Sequence, residues 1–349
     1  MTIEAWIRAH VPLEEATSAE LRYERLIWQA AEPLPWVHRP PDPAQPFDWV
    51  EETRVGAFLA ALGDAHRVLD VGTGDGWPAL PLARRVCEVV ALDPSPRRAD
   101  LARVNAYRLG LANVEVVCAP AEELPFSNGS FDGAVAACAI EQSTDPGRAL
   151  GEVFRVLGPG ARFAATFEDL AAELRDLVEE KAELYLEREA AVYRLVHRSL
   201  SPLREAEYEL RFRASPSLCR AAEEVRPVPT FCAARTGPGL RPVSADDPLL
   251  GLPLLAAARD GLLSARFFEL RHRSPREVID LLEEVGFRGV RAFGNITWLA
   301  RDFFRPAHEE GLLGKLAPHM DEITCAFGRL YGAVPPGKTS VFFVVADKP

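Results

Sequence analysis

Three alternating glycines that follow a short apolar run constrain the fold of this chain more than any other feature. Residues 66–71 (His-Arg-Val-Leu-Asp-Val) predict a buried strand, and Gly72, Gly74 and Gly76 come directly after it. Glycine takes positive φ angles without strain and lets the backbone come close to a ligand. Pro78 suits the first turn of a helix, where its missing N–H is not needed. The segment therefore predicts a strand–turn–helix unit whose helix start presents free N–H groups.

A second apolar run, Val89–Asp93, ends in an acid. An acid at the end of the second strand of such a unit typically binds the hydroxyl groups of a ribose, so we predict a cofactor that contains a nucleoside. A dinucleotide fingerprint would read Gly-x-Gly-x-x-Gly. Here the third glycine comes one residue early, and Trp77 stands where the packing glycine is expected. Asp70 is not part of that fingerprint either, and its carboxylate suits a cofactor whose amino-acid end carries an ammonium.

Further motifs follow this turn in a fixed order along the next strands. They are Ala121–Phe126 with Ser130–Asp132, Glu141–Pro146, and Glu152 with Arg155–Gly160. In this order and spacing the chain resembles the class I S-adenosylmethionine-dependent methyltransferases, in their ubiquinone/menaquinone methyltransferase-like branch. The resemblance implies an α/β fold with a Rossmann-like doubly wound sheet, mostly parallel with an antiparallel last strand. It also implies S-adenosyl-L-methionine as the cofactor and S-adenosyl-L-homocysteine as the product.

The same resemblance implies which residues bind the cofactor. Asp70 and the glycine turn would hold the methionine portion, Asp93 would bind the ribose hydroxyls, and Pro94 would lie against the adenine. The backbone of Ala121 would contact an adenine ring nitrogen, and that of Cys138 would help to place the sulfonium. The predicted set is Asp70, Gly72, Thr73, Gly74, Asp75, Gly76, Asp93, Pro94, Ala121, Glu122 and Cys138. No metal ligand is predicted.

Two departures from the family pattern affect the site. Pro120 stands where the family commonly has an Asp that accepts from the adenine amino group, so Glu122 or water must replace it, or the contact is absent. Gln142 stands where the family often has His, so the usual candidate base is missing. The position after the fourth core strand points toward the transferred methyl group in this fold. Glu141 and Gln142 are therefore the candidate catalytic residues, with a helix cap or a solvated acid as the alternative role of Glu141.

The chemistry itself places few demands on the side chains. Transfer of a methyl group from a sulfonium is an in-line displacement, in which alignment and exclusion of water supply most of the catalysis. A base is needed only when the acceptor must lose a proton. His197 and His272 are alternative candidates for that base, although a lone histidine is more often structural. Cys219 and Cys232 are weaker candidates for a reactive or metal-binding role.

Composition limits the class of acceptor and partner. The chain has 349 residues and a formal net charge of −11, which argues against a nucleic-acid substrate, because phosphate binding normally requires a basic face. Six cysteines lie far apart, without the pairs that a zinc site requires. We recognise no signal peptide and no apolar stretch long enough to span a membrane. These observations predict a soluble, cytoplasmic protein that acts on a small molecule, with a homo-oligomer possible.

Four segments are predicted from the positions of these motifs. Residues 1–48 form an N-terminal helical arm or lid, in which helices are expected over 3–10 and 18–31 and the rings of Trp28, Trp36, Phe47 and Trp49 cluster. Residues 49–167 form the cofactor-binding core. Residues 168–271 form a mixed α/β insertion that covers the substrate, with one or two charged helices over 168–200 and strands at 208–213 and 265–271. Residues 272–349 complete the core, around a helical insertion at 297–339 that packs on the other insertion or forms an oligomer contact.

Gly332–Thr339 matches the phosphate-loop formula Gly-x-x-x-x-Gly-Lys-Thr. That formula requires a strand before the loop and a helix after it. Here the predicted order is reversed, and Pro335 and Pro336 remove two N–H groups that would bind phosphate. We therefore predict a turn before the last strand, and no nucleotide hydrolysis.

The predicted function is methyl transfer from S-adenosylmethionine to a small, partly apolar metabolite. Two alternatives are kept open. One is a methyltransferase-like protein that binds the cofactor without catalysis, which Pro120 and Gln142 motivate. The other is an oxidoreductase that uses a nicotinamide cofactor.

Overall fold

The structure is a computed structural model, and it describes residues 1–23, 39–225, 240–337 and 339–349 of the chain. It divides into two compact units, each built from two separate stretches of sequence. The six-stranded unit comprises Met1–Gln29 and Leu174–His272, and the seven-stranded unit comprises Ala30–Glu173 and Arg273–Pro349, as far as these residues are described. Each unit therefore depends on parts of the chain that are far apart in sequence.

The elements are numbered here in chain order. The strands are β1 (Glu14–Glu15), β2 (Arg67–Val71), β3 (Glu88–Asp93), β4 (Val114–Cys118), β5 (Phe131–Ala137), β6 (Leu157–Glu168), β7 (Val178–Glu187), β8 (Ala190–Leu200), β9 (Leu203–Arg213), β10 (Arg241–Pro242), β11 (Leu262–Arg271), β12 (Arg288–Gly294) and β13 (Val341–Asp347). The α-helices are α1 (Ile3–His10), α2 (Pro46–Leu62), α3 (Ala79–Ala83), α4 (Pro96–Arg108), α5 (Pro146–Val156), α6 (Leu170–Glu173), α7 (Pro216–Glu224), α8 (Leu252–Ala258), α9 (Pro275–Val285), α10 (Thr297–Glu309), α11 (Leu313–Leu316) and α12 (Met320–Gly328).

The seven-stranded sheet has the strand order β12-β13-β6-β5-β2-β3-β4. Strands β2 to β6 are parallel to one another, and β13 runs antiparallel between β6 and β12. The order turns back on itself between β2 and β5, and in open α/β sheets ligands bind at the carboxyl ends of the strands at such a point. The prediction of a mostly parallel, doubly wound sheet with an antiparallel last strand is confirmed.

Apolar side chains cover both faces of this sheet. Along β2, Val68 belongs to the cluster that packs under α2, whereas Leu69 and Val71 belong to the cluster that packs under α5 and α9. Strands that are buried on both faces read as continuous apolar runs, which is why residues 67–71 and 88–93 were recognisable as strands. Nearly all of these side chains are fully buried.

The helical insertion between β12 and β13 belongs to the seven-stranded unit. Its helices pack on α2, through a cluster that includes Trp49, Phe304 and Met320. A Cβ atom on Gly56 would lie 2.6 Å from the carbonyl oxygen of Thr324, so α2 and α12 pack backbone against backbone. The described residues between β12 and β13 contain α10, α11 and α12. Their packing on α2 was not expected from the sequence, and packing on the other insertion or in an oligomer contact stays a prediction.

The six-stranded sheet has the order β1-β11-β9-β8-β7-β10, and its four long strands are antiparallel. The predicted strands at 208–213 and 265–271 lie within β9 and β11 and pair with each other, as expected. The predicted helices over 168–200 are wrong. Only α6 is helical there, and β7 and β8 form a hairpin. The charges that suggested a solvated helix instead pair across strands, where Arg194 of β8 binds Glu183 of β7 and Glu207 of β9.

The N-terminal residues belong to the same six-stranded unit. Helix α1 spans Ile3–His10 as predicted, with the Thr2 hydroxyl accepting from the Ala5 N–H at its start. The described part of the second predicted helix, Ala19–Tyr23, is π-helical. Trp28 and Trp36 lie outside the described residues, as does Lys338 of the phosphate-loop formula. In that segment a 3₁₀ turn, Arg329–Ala333, precedes the loop and β13 follows it, so the strand–loop–helix order of a phosphate loop is absent. Among the helices in the described ranges, none combines the length and the apolarity needed to cross a membrane.

Candidate cofactor site

The glycine turn between β2 and α3 has the backbone conformation that its sequence predicts. Gly72, Gly74 and Gly76 have φ angles of 75°, 60° and 118°. The N–H groups of Gly72 and Thr73 both donate to the carbonyl oxygen of Leu92, at 2.8 and 2.9 Å. The turn is therefore bent over the end of β3, beside the strand that carries the predicted ribose ligand.

Gly72 also has a steric reason to be glycine. A Cβ atom at this position would lie 2.3 Å from the Cβ atom of Ala139, in the loop that follows β5. Any other side chain would therefore push this loop away from the turn. The contact brings the predicted sites for the methionine portion and for the sulfonium next to each other.

Asp93 ends β3 with its carboxylate held by backbone donors. Its Oδ2 accepts from the Gly74 N–H at 2.8 Å and its Oδ1 accepts from the Ser95 N–H at 2.9 Å. Burial raises the pKa of this carboxyl, and the nearby Arg98 guanidinium opposes the rise. A carboxylate oxygen can accept more than one hydrogen bond. Both oxygens therefore retain acceptor capacity, which two ribose hydroxyls would use.

Asp70 is fully buried at the end of β2. Its Oδ2 accepts from the Ala79 N–H at 3.1 Å, while its Oδ1 has no hydrogen-bond partner in the part of the chain that the structure describes. Burial raises the pKa of this carboxyl to about 7; the neighbouring Thr73 hydroxyl and the Ala79 N–H oppose the rise, and the charge of Asp93 adds to it. A buried carboxylate with an unsatisfied oxygen is a site at which a ligand cation is stabilising. The residues present thus fit an adenosyl amino acid that carries an ammonium.

Thr73 and Asp75, the other two residues of the turn, are both buried. The carbonyl oxygen of Asp75 accepts from the Nδ2 of Asn105 at 2.9 Å, which ties the turn to α4. Sequence reasoning missed Asn105. The sequence does carry a signal for it: Asn105 is the one amide on a helix face whose other buried residues are Ala99, Ala102 and Ala106.

On the predicted adenine side, Pro94 is exposed and the Cys118 thiol lies 3.7 Å from its carbonyl oxygen. Ala121 begins a loop that α5 holds in place. The Arg155 guanidinium donates to the carbonyl oxygens of Leu124 and Phe126 at 2.9 and 2.7 Å, and Glu152 accepts from the Leu124 N–H at 2.9 Å. The motif residues Glu152 and Arg155 therefore shape this loop.

Glu122 or water was expected to replace the missing acceptor for the adenine amino group, with absence of that contact as the alternative. Its Oε1 accepts from the Thr144 hydroxyl at 2.9 Å and from the Asp145 N–H at 3.2 Å. This oxygen therefore connects the loop after β4 with the loop after β5. Its contact with adenine stays a prediction.

The residues after β5 lie at the same end of the sheet. Cys138 has a φ of 51°, uncommon for a residue with a side chain, and its N–H donates to the Thr166 carbonyl oxygen at 2.9 Å. A 3₁₀ turn, Ile140–Gln142, follows. Glu141 is buried, and its Oε1 accepts from the Glu168 N–H at 3.1 Å, while Gln142 is half-buried. The catalytic roles of Glu141 and Gln142 stay predictions.

The alternative bases lie in the six-stranded unit. His197 is buried between two carboxylates, with its Nε2 3.0 Å from Glu4 and its Nδ1 3.0 Å from Glu180, an arrangement that fastens α1 to the sheet. His272 is also buried. Cys219 is a free thiol, and Cys232 lies outside the described residues. Within residues 1–23, 39–225, 240–337 and 339–349, no group of His, Cys, Asp and Glu has the arrangement of a metal site.

Comparison with known proteins identifies the core. Residues 69–165 match the family model described as a methyltransferase domain. The chain is 37% identical over 124 residues to an uncharacterised methyltransferase of Mycobacterium tuberculosis (36% of this chain, 44% of that protein). It is 42% identical over 106 residues to the demethylmenaquinone methyltransferase of Thermus thermophilus (30% and 48%). It is 38% identical over 121 residues to the 24-methylenesterol C-methyltransferase 2 of Oryza sativa subsp. japonica (33% and 32%).

The chain thus spans less than half the length of each of these curated relatives. A similar solved structure is that of the CcbJ methyltransferase from Streptomyces caelestis, with 15% identity, a TM-score of 0.49, and coverage of 91% of this chain and 100% of that one. The family model covers β2 through β6 and thus contains the glycine turn, Asp70 and Asp93. Residues 69–165 are thus similar in sequence to a methyltransferase domain, and the curated relatives that match this part of the chain are methyltransferases.

Proposed function

We propose that the protein transfers the methyl group of S-adenosylmethionine to a small, partly apolar metabolite. The observation that carries this proposal is the pair of buried carboxylates on the glycine turn. Asp93 retains acceptor capacity for ribose hydroxyls, and Asp70 has a buried oxygen that an ammonium would satisfy. Both lie in the segment that matches the methyltransferase domain.

The residues of the chain would bind and align the donor. The cofactor supplies an activated methyl group, so the protein needs to hold the sulfonium and the acceptor in line and exclude water. Backbone groups of the glycine turn and of Cys138 would fix the amino-acid end, and the loop that Arg155 holds would border the adenine. Glu141, buried after β5, would orient the acceptor or the ammonium.

The relatives support the acceptor class. Two of them are named for demethylmenaquinone and for 24-methylenesterol, both largely apolar molecules. The net charge of −11 also disfavours a polyanionic acceptor. Cytoplasmic localisation, self-association and the covering of the acceptor by residues 168–271 belong to this proposal as well.

Titration calorimetry with S-adenosylhomocysteine tests the cofactor, with NADH and NADPH as the competing ligands. We expect binding of the first and no heat from the other two. Binding of a nicotinamide dinucleotide alone would support the oxidoreductase instead. Methyl-labelled S-adenosylmethionine incubated with aqueous and organic extracts then tests transfer, and label is expected in a small, extractable product. Label only in RNA or protein would contradict the acceptor class.

A second candidate is a cofactor-binding protein without transferase activity. Pro120 offers no acceptor to the adenine amino group, and one oxygen of Glu122 is already committed to Thr144 and Asp145. This candidate predicts tight binding of S-adenosylhomocysteine with no label transfer to any extract. Labelled product that disappears in an Asp93→Ala variant would exclude it.

A further inference from the structure

The peptide between Asp75 and Gly76 is fastened by a side chain. The turn also has hydrogen bonds that involve its backbone N–H groups: Gly72 and Thr73 donate to Leu92, Gly74 donates to Asp93, and Gly76 donates to the Thr73 carbonyl oxygen. The Asp75 carbonyl oxygen accepts from the Nδ2 of Asn105, which lies on α4. The Asn105 amide therefore holds the carbonyl side of this peptide from α4, while the Thr73 carbonyl oxygen holds its N–H side from within the turn.

Asn105 has an energetically unfavourable environment for a residue with no function. Its side chain is fully buried, and its Oδ1 has no hydrogen-bond partner in the described ranges. A buried acceptor without a partner is destabilising, because its hydration is lost and not replaced. Alanine fills the neighbouring positions 99, 102 and 106 of the same helix face. An alanine at 105 would remove the unsatisfied oxygen along with the hydrogen bond to the turn.

The position of the hydrogen bond connects it to the cofactor. Gly76 has a φ of 118°. Glycine adopts this conformation without strain but has no preference for it over others, so neighbouring contacts must hold it. The N–H groups that follow Gly76 open α3, where Ala79 donates to Asp70. Rotation of the Asp75–Gly76 peptide would shift both the glycine backbone and the start of this helix. Preorganisation of such a turn raises affinity because less entropy is lost on binding.

We propose that Asn105 is a positioning residue for the cofactor, which acts through the Asp75 carbonyl and holds the glycine turn in its ligand-binding conformation. This inference rests on the proposed function, because its ligand is the adenosyl amino acid. In this proposal Asn105 acts on the ligand only through the Asp75 carbonyl of the turn. Its loss should therefore weaken cofactor binding more than it weakens the fold.

The test compares Asn105→Ala with Asn113→Ala. Asn113 is the matched control because its Nδ2 also donates to backbone carbonyls, those of Ala83 and Val86, at 2.8 and 3.0 Å, away from the turn. For each purified protein, the Kd of S-adenosylhomocysteine is measured by calorimetry and the urea midpoint by circular dichroism. We expect Asn105→Ala to raise the Kd by roughly five- to thirtyfold with little change in the urea midpoint. Asn113→Ala should lower the midpoint and leave the Kd unchanged.

A third variant and a second measurement keep the outcome clear. Asn105→Asp keeps the shape of the side chain but replaces the donor by an acceptor, so its Kd should be at least that of the alanine variant. Amide exchange of the unliganded protein should show faster exchange at residues 74–77 and 79 in both Asn105 variants. Unchanged affinity, or loss of folding in both variants, would overturn the proposal in favour of a purely structural amide. If the wild-type protein itself does not bind S-adenosylhomocysteine, the proposed function fails instead.

Discussion

Replacement of Asp70 by asparagine should remove a large part of the pH dependence of the free energy of unfolding. Asp70 is fully buried, and its pKa is raised by burial from 3.8 to about 7. The folded protein therefore holds a proton on Asp70 between about pH 4 and 7, whereas the unfolded chain has lost it. Stability falls as pH rises through this window, because deprotonation favours the unfolded state. With 1.36 kcal/mol for each pKa unit, the loss above pH 7 is about 4 kcal/mol as an upper estimate.

The assay is urea unfolding of the wild-type protein and of Asp70→Asn at pH values from 5 to 8. Asparagine keeps the size of the side chain and still accepts from the Ala79 N–H, but carries no charge. We expect the variant to show a smaller fall in stability, because only the contribution of Asp70 is removed, and to exceed the wild type by roughly 2–4 kcal/mol at pH 8. Parallel pH profiles of the two proteins would refute the argument, because the buried carboxyl would then not be the group that titrates.

Cofactor binding should depend on pH in the opposite direction. The ammonium of S-adenosylhomocysteine pairs with the ionised form of Asp70, so its affinity should increase by about tenfold between pH 6 and 8. In Asp70→Asn the affinity should be lower at pH 8 and nearly independent of pH. Calorimetry in matched buffers measures the affinity of the wild type and of Asp70→Asn at each pH. A wild-type affinity that does not change with pH would exclude Asp70 as the ammonium ligand.

Three further substitutions test other parts of the structure. Asp93→Ala should weaken binding of S-adenosylhomocysteine by about 1–3 kcal/mol through loss of charge-assisted hydrogen bonds, and unchanged calorimetric affinity would remove the ribose assignment. Gly72→Ala should abolish binding while most of the fold persists by circular dichroism, because its Cβ would lie 2.3 Å from that of Ala139; normal affinity would show that the loops can separate. Arg194→Met should destabilise the six-stranded unit by about 3–5 kcal/mol in urea, because Glu183 and Glu207 lose a buried partner, and an unchanged midpoint would contradict this.

The cofactor half of the fold was predictable because its constraints are local. The positive φ angles of Gly72, Gly74 and Gly76 follow from a chain that must turn sharply at the end of a buried strand. The helix α9 was also predictable from its ends: Ser274 and Glu277 form a capping box, and Gly286 ends the helix with a φ of 124°. Each of these signals depends on neighbouring residues alone.

The hairpin of β7 and β8 was not predictable in the same way. Its sequence is rich in Glu, Leu, Arg and Ala, which favour helices when nothing else decides. The decisive interactions connect Arg194 to residues on two other strands, and the register that pairs Glu183 with Arg194 is not readable from the chain. Charges that look solvated in the sequence are buried in the sheet, so the tertiary partners override the local preference.

The candidate site was predictable only where a motif residue is itself the proposed contact with the ligand. Asp70 and Asp93 stand at strand ends that the apolar runs define. The supporting residues Asn105 and Arg155 act through backbone carbonyls of the turn and of the loop after β4. Every residue has a backbone carbonyl, so the sequence does not show which one a side chain will bind. These contacts therefore became apparent only in the structure.

The place of β13 in its sheet has a consequence for biosynthesis. This strand is made after all of its neighbours, yet it lies between β12 and β6 and not at an edge. Until residues 341–347 have left the ribosome, the nascent chain exposes the open flanks of two strands, and unpaired strand flanks promote aggregation. The sheet therefore cannot be completed before residues 341–347 are made, and a premature stop before residue 341 would yield a polypeptide that chaperones must hold or proteases remove.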